Sequence, residues 1–248
     1  MNKYAIITNA CGEDFKQLSM FTNAYNSRYA TSVGIDFFAF SEAPKDRHPA
    51  WAKITLCERA LKMGYEWICW IDADAIFVSR KNIFDLIDED YFFICQADGG
   101  INLKYNKGLP IEIKSKLRGF KEHKPAFCLN SGVFLLKNTA QSFVFLEKVY
   151  NETVGGILLW KKWAWEQMAI EILLRENPEW RDKIKLHNYG KIWSAPYSVI
   201  NSLSQEDVEK YLEAFAVHIN GDLPLIRKLR ELKSASLSFE ASDSLSEV

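Results

Sequence analysis

Asp72 and Asp74 stand one residue apart, directly after the run Tyr65-Glu66-Trp67-Ile68-Cys69-Trp70-Ile71. That run has the length and composition of a buried strand, so the two carboxylates come where it ends. Residues i and i+2 of a strand share a side. Like charges held that way repel unless a cation lies between them, and paired hard oxygen ligands suit Mg²⁺ or Mn²⁺. Such an ion, with coordination positions left open, goes on to hold substrate phosphates. The plain alternative is a pair of solvated turn aspartates, because D-x-D is short and common.

Three further clusters carry chemistry. Asn130-Ser131-Gly132 precedes the apolar run Val133-Phe134-Leu135-Leu136. Gly132 would let a ligand approach the backbone and the Asn130 amide can bond sugar hydroxyls, although the same three residues are ordinary turn chemistry. Trp163-Ala164-Trp165-Glu166-Gln167 opens a helix. Glu166 and Gln167 can receive hydrogen bonds from a polyol, and tryptophan faces support sugar rings; against this, the helix dipole favours an acid in a first turn anyway. His218-Ile219-Asn220-Gly221 follows Ala214-Phe215-Ala216-Val217. An imidazole beside carboxylates fits Mn²⁺ better than Ca²⁺, and Gly221 would admit a phosphate, while a lone histidine after a strand is also a common structural donor. Lys53, early in a helix after Pro49, has the reach for a diphosphate or is a solvated face residue. His48 and His123 lie in polar stretches and His187 ends a weak strand, with no comparable surroundings.

The elements that must position these groups alternate. Strand 4–8, a helix over 14–30, strand 35–40, a helix from Pro49 ending at Gly64, strand 65–71, a short helix over 82–87 and strand 91–95 form a β-α-β rhythm. That rhythm predicts an α/β fold with a mostly parallel sheet and helices on both faces, where ligands gather at the carboxyl ends of strands. Residues 98–125 read as a polar loop, then strand 133–136, helices over 140–151 and 163–176, and short strands near 184–187 and 214–218. Asn138-Thr139 can cap the first of these helices. Residues 1–233 are expected to form one domain, with a disordered Ser-rich tail over 234–248.

The 248 residues, 48% of them hydrophobic and 14% aromatic, suffice for a full core. A formal net charge of −1 gives no electrostatic argument for nucleic-acid binding. Five cysteines without a C-x-x-C pair argue against a zinc site or disulfide framework and for a reducing compartment. No run reaches membrane-span length, and the first strand begins almost at Met1, so the expected location is the cytoplasm. The stretch 223–233, with Leu225, Ile226, Leu229 and Leu232 against Arg227, Lys228, Arg230 and Lys233, has the pattern of an amphipathic helix. It would dock on its own domain or rest peripherally on the inner face of an anionic membrane.

Taken in order, Trp51-Ala52-Lys53, Trp70-Ile71-Asp72-Ala73-Asp74-Ala75, Asn130-Ser131-Gly132-Val133-Phe134-Leu135, Trp165-Glu166-Gln167 and His218-Ile219-Asn220-Gly221 resemble a GT-A-fold glycosyltransferase. The family resembled is the galactosyl/mannosyl/xylosyltransferase family of fungal mannan-modifying enzymes and plant xyloglucan xylosyltransferases. The likeness covers roughly residues 3–222. It implies transfer of a hexose or pentose from a nucleotide-diphosphate sugar to a glycan, lipid-linked or other hydroxyl acceptor, with Mn²⁺ or Mg²⁺ and with retention of anomeric configuration. It also implies roles. Asp74 and His218 would bind the metal, with Asp72 on the metal or ribose. Gly221 and Lys53 would lie at the phosphates, and Thr8 and Asn9 near the base and ribose. Asn130, Glu166 and Gln167 would surround the transferred sugar. Asn220 departs from the H-F-x-G-like ending of relatives, and the amino-terminal anchor of eukaryotic relatives is not seen.

Two rivals share parts of this pattern. A haloacid-dehalogenase-type phosphatase also places D-x-D after an apolar strand, but Ile76 stands where Thr or Val is usual, and Gly221-Asp222 supplies only one later acid. A non-catalytic nucleotide-sugar or carbohydrate-binding module would use the same scaffold without turnover.

Overall fold

The computed structural model describes residues 2–97, 129–152, 165–187, 191–194 and 215–218. Along the chain these form β1 (Tyr4–Asn9), α1 (Glu13–Ser32), β2 (Asp36–Phe40), a 3₁₀ turn at Pro49–Trp51 and α2 (Ala52–Lys62). Next come β3 (Trp67–Ile71), β4 (Ala75–Phe77), a 3₁₀ turn at Ile83–Leu86, β5 (Phe93–Ala97), β6 (Leu129–Lys137) and α3 (Ala140–Tyr150). The remainder is α4 (Trp165–Glu176), α5 (Pro178–Arg181), β7 (Ile184–His187), β8 (Trp193–Ser194) and β9 (Ala216–His218).

The whole of β3 and the run Ala5-Ile6-Ile7 of β1 are apolar because both their faces are buried. On one face Ala5, Ile7, Ile68 and Trp70 pack with Ile54, Cys57 and Leu61 of α2, Phe145 and Val149 of α3, and Ala169 and Leu173 of α4. On the other, Ile6, Trp67, Cys69 and Ile71 meet Tyr29 and Ala30 of α1. The strand period of two sends neighbouring residues to opposite cores. Gly64, at φ 97°, lets the chain leave α2, and the Thr139 side chain accepts from Ser142 N at the start of α3.

The sheet order is β2-β1-β3-β6-β5-β7. β1 runs parallel to β2 and β3, and β7 parallel to β5. The expected mostly parallel sheet therefore stands, with one reversed strand: β6 is antiparallel to both neighbours. Reversal has a functional consequence, because the beginning of β6 now lies against the end of β3, with Val133 opposite Ile71. β6 is also longer than expected and takes Asn130-Ser131-Gly132 into the strand rather than into a turn before it. The β5–β6 register breaks between Ile94 and Gln96. Such a bulge re-aims the residues it contains. A small second sheet, β4-β9-β8, sets β9 antiparallel to β4.

Other boundaries move modestly. The short helix predicted over 82–87 is a single 3₁₀ turn whose first residues are capped by the Asn82 side chain. The strand predicted over 91–95 begins at Phe93, since Tyr91 N is used in a turn to Asp88 O. Cys11, Cys57, Cys69 and Cys95 are free thiols. No helix among the described residues is long and apolar enough to cross a membrane. The polar stretch 98–125, the basic stretch 223–233 and the tail from Ser234 lie outside the described residues.

Candidate active site

Asp72 and Asp74 do not extend β3. Asp72 N continues the ladder by donating to Gly132 O at 2.8 Å, and the chain then turns, with Ala75 N donating back to Asp72 O at 3.0 Å. The expectation that both carboxylates share one side of a strand is thus corrected: they flank a tight turn joining β3 to β4. Both still line a single cavity of about 680 Å³. Its walls come from the end of β1 (Asn9, Cys11), from α1 (Phe15), from His48-Pro49-Ala50 and Lys53, from the start of β6 (Asn130, Ser131, Gly132) and from the first turn of α4 (Trp165, Glu166, Gln167).

Lys53 organises the floor. It is not the solvated helix residue that its neighbourhood in the sequence allowed, for its side chain is 4% exposed. Its Nζ lies 3.0 Å from Asp72 Oδ1 and 2.7 Å from Glu166 Oε1. It also donates to Ser131 O at 2.8 Å and Ser131 Oγ at 3.3 Å. Four acceptors surround an ammonium that has three N–H donors, so little of it is left for a diphosphate. Burial alone would lower its pKa, but the charges of Asp72 and Glu166 outweigh that and hold it above its ordinary value of 10.5. The lysine is therefore charged throughout the neutral range. Asp72 Oδ1 accepts a further bond from the Trp70 indole at 2.6 Å.

The start of α4 is held against the start of β6. Ser131 N donates to Gln167 Oε1 at 3.2 Å and Ser131 Oγ to Glu166 Oε1 at 3.1 Å. Gln167 commits its oxygen here, which leaves its two amide N–H donors for other partners. Asn130 Oδ1 accepts from Gly132 N at 2.7 Å, a local bond that fixes the side chain beside the cavity. Glu166 Oε2 is buried without a hydrogen-bond partner. Trp165 has φ 36°, a left-handed conformation that costs a bulky residue about 1–3 kcal/mol. Its indole stacks on His48 with ring centroids 3.9 Å apart and planes 6° apart.

His48 lies in a polar stretch whose composition gives no sign of a site; its neighbour Pro49 at a helix start is the one local signal. Its Nδ1 accepts from Ala50 N at 3.2 Å, which requires the ring to be neutral. Burial holds its pKa below the ordinary 6.5. Below about pH 6.5 the unfolded chain therefore binds more protons than the fold, and stability is lost as pH falls. His187, shifted the same way by burial, shares that slope. Replacing His48 with Asn, which keeps an acceptor for Ala50 N, should flatten the dependence of the denaturation midpoint between pH 7 and 5. An unchanged slope would assign it to other groups.

The remaining expected residues are placed unevenly. Asn9 lines the cavity, whereas Thr8 is buried within β1 at 1% exposure and is not among the lining residues. His218 ends β9 opposite Ala75, so its backbone runs beside the residue that follows Asp74. Gly221 lies outside the described residues. Among the described residues no group of three or more His, Cys, Asp and Glu side chains stands as a ready metal centre.

A search of curated proteins found no match. Solved structures resemble the fold at low identity. A glycosyltransferase involved in glycosylation of the major capsid of PBCV-1 aligns with TM-score 0.62 and 13% identity over 92% of this chain and 98% of its own. The galactosyltransferase LgtC aligns with TM-score 0.55 and 13% identity, covering 93% and 95%. Mouse xyloside xylosyltransferase 1 aligns with TM-score 0.50 and 12% identity, covering 88% and 97%. These neighbours establish the GT-A fold. The sequence profile of one family matches residues 8–224, nearly the whole cavity-bearing chain, and the protein therefore belongs to the galactosyl transferase GMA12/MNN10 family of glycosyltransferases.

Proposed function

We propose that this glycosyltransferase moves a hexose or pentose from a nucleotide-diphosphate sugar to a glycan or lipid-linked hydroxyl, with a divalent metal and with retention of configuration. The observation that carries this reading is the single cavity lined by Asp72, Asp74, Asn130, Glu166 and Gln167. Its donor set fits a hard cation: two carboxylates flank one turn, and Mg²⁺-like ions are commonly held by one or two carboxylates together with substrate phosphates. Asp74 and Asp72 would hold the ion, with His218 on the adjoining strand. Bound there, a metal would neutralise charge developing on the departing diphosphate, a contribution of several kcal/mol. Retention rests on family membership.

The chain's own groups divide into two ends. Asn9, Cys11 and Phe15 lie at the β1 and α1 end and suit the nucleoside. Lys53, by pairing with Asp72 and Glu166, orients both carboxylates rather than binding phosphate itself. Asn130 and Gln167, each with its oxygen engaged by backbone N–H groups, present amide donors to sugar hydroxyls. The amphipathic pattern of 223–233 supports a peripheral contact with an anionic inner membrane face, and the cysteine usage supports a cytoplasmic location.

Replacing Gln167 or Asn130 with Ala should cut transfer and relax the choice among donor sugars, because an unpaired hydroxyl or amide in such a pocket costs about 1–3 kcal/mol. Affinity for the free nucleoside diphosphate should change little. Titration calorimetry with UDP and GDP, beside transfer assays with several donors, separates the two effects. Loss of diphosphate binding in these variants would refute the division into subsites.

A further inference from the structure

Besides Ser19, whose hydroxyl bonds Lys16 O within the helix, α1 carries the buried polar side chains Thr22, Asn26 and Tyr29 on one face, and their bonds go to partners outside the helix. Spacings of four and three place them in line along the side turned to the β3–β4 segment. Thr22 Oγ1 donates to Ala73 O at 2.7 Å, the carbonyl of the residue between the two aspartates. Asn26 Nδ2 donates to Ala75 O at 3.0 Å while its Oδ1 accepts from Phe77 N at 2.9 Å. Tyr29 OH donates to Lys81 O at 2.7 Å and accepts from Ile83 N at 2.8 Å, and its ring stacks on Phe77 at 4.2 Å.

The Asn26 amide acts as a neighbouring peptide group would, giving one N–H and taking one C=O along the open edge of β4. The other edge of β4 is filled by β9. Buried backbone groups need partners, and here a helix supplies in side chains what a further strand would otherwise supply. A sheet neighbour at that edge would cover the turn; side chains reaching in from α1 hold it and leave both carboxylates on the cavity.

We infer that Thr22 and Asn26 are positioning residues for the metal-phosphate end of the site: they pin the Ala73 and Ala75 carbonyls and so fix the spacing of Asp72 and Asp74. This rests on the proposed metal-dependent reading of that turn. Tyr29, bonded eight residues beyond Ala73, serves the fold alone. Thr22→Val removes the hydroxyl while keeping shape, and leaves the Ala73 carbonyl unpaired in a buried place.

The test is a Mn²⁺ titration of the purified full chain with UDP and with GDP, followed by calorimetry and by melting temperature. Thr22→Val is expected to raise the metal concentration for half-saturation about tenfold, as loss of one buried hydrogen bond would. Thr22→Ser, which restores the donor, should stay within about twofold of wild type. Tyr29→Phe should lower the melting temperature without moving the titration. Should Thr22→Val fold poorly, Thr22→Ala is read in the same titration at lower temperature. Wild-type titration by Thr22→Val or Thr22→Ala, or an equal effect from Tyr29→Phe, overturns the positioning role alone. Absence of metal-dependent nucleotide binding in the wild type overturns the metal reading first, and the positioning role with it.

Discussion

Lys53→Met will cost about 3–5 kcal/mol of stability and abolish transfer. Removing one partner from a buried ion pair leaves the others without compensation, and losses of that size are the usual result. Here the Glu166 side chain is 5% exposed and its second oxygen has no protein hydrogen-bond partner, so loss of the ammonium leaves a buried charge without its counter-ion. Asp72, at 27% exposed, can recover some hydration. The double variant Lys53→Met with Glu166→Gln should therefore regain a large part of the lost stability, since the more deeply buried charge is gone. Arginine should not substitute, because its planar fork cannot occupy the point at which Ser131, Asp72 and Glu166 converge. Urea denaturation measures each variant; a Lys53→Met loss under 1 kcal/mol would show that the network is better hydrated than its burial indicates.

Asp74→Asn will behave in the opposite way. The substitution keeps the size and most hydrogen-bonding capacity of the side chain, so the melting temperature should stay within a few degrees of wild type. Transfer should fall by roughly 100-fold or more, since metal stabilisation of a leaving diphosphate is worth several kcal/mol and each 1.36 kcal/mol is tenfold in rate. A variant that melts normally and transfers at half the wild-type rate would remove Asp74 from the chemistry. The two substitutions thus separate the site into a part that holds the fold and a part that acts on the donor.

Much of this arrangement was legible in the sequence because local pattern and burial agree. β3 is apolar throughout and β1 over Ala5-Ile6-Ile7 since both faces are covered, and α2 and α3 carry their expected caps. The Asp72, Asn130, Glu166 and Gln167 clusters do converge on one cavity. What escaped depends on contacts far apart in the chain. Lys53 looks solvated until Glu166, 113 residues away, is brought to it. The reversal of β6, which carries Ser131 to the end of β3, is a property of pairing and leaves no mark on an apolar run. The turn at Ala73 defeats a strand-period argument because the strand has already ended. Thr22 and Asn26 did leave a signal: polar residues four apart on a helix face that must be buried need partners somewhere, and here the partners are the backbone of the D-x-D turn.

A thermal-shift panel of UDP- and GDP-linked sugars tests the metal-dependent nucleotide-sugar site proposed at Asp72-Ala73-Asp74. Each donor is added to wild type and to Asp74→Asn with Mn²⁺ or with chelator. A donor at a hundred times its dissociation constant stabilises by about 2.7 kcal/mol, which for a chain of this size is a rise of roughly 5–10 °C. That rise is expected for at least one donor in wild type with Mn²⁺, and little or none in chelator or in Asp74→Asn. An equal rise in chelator, or none for any donor with the metal present, would contradict it.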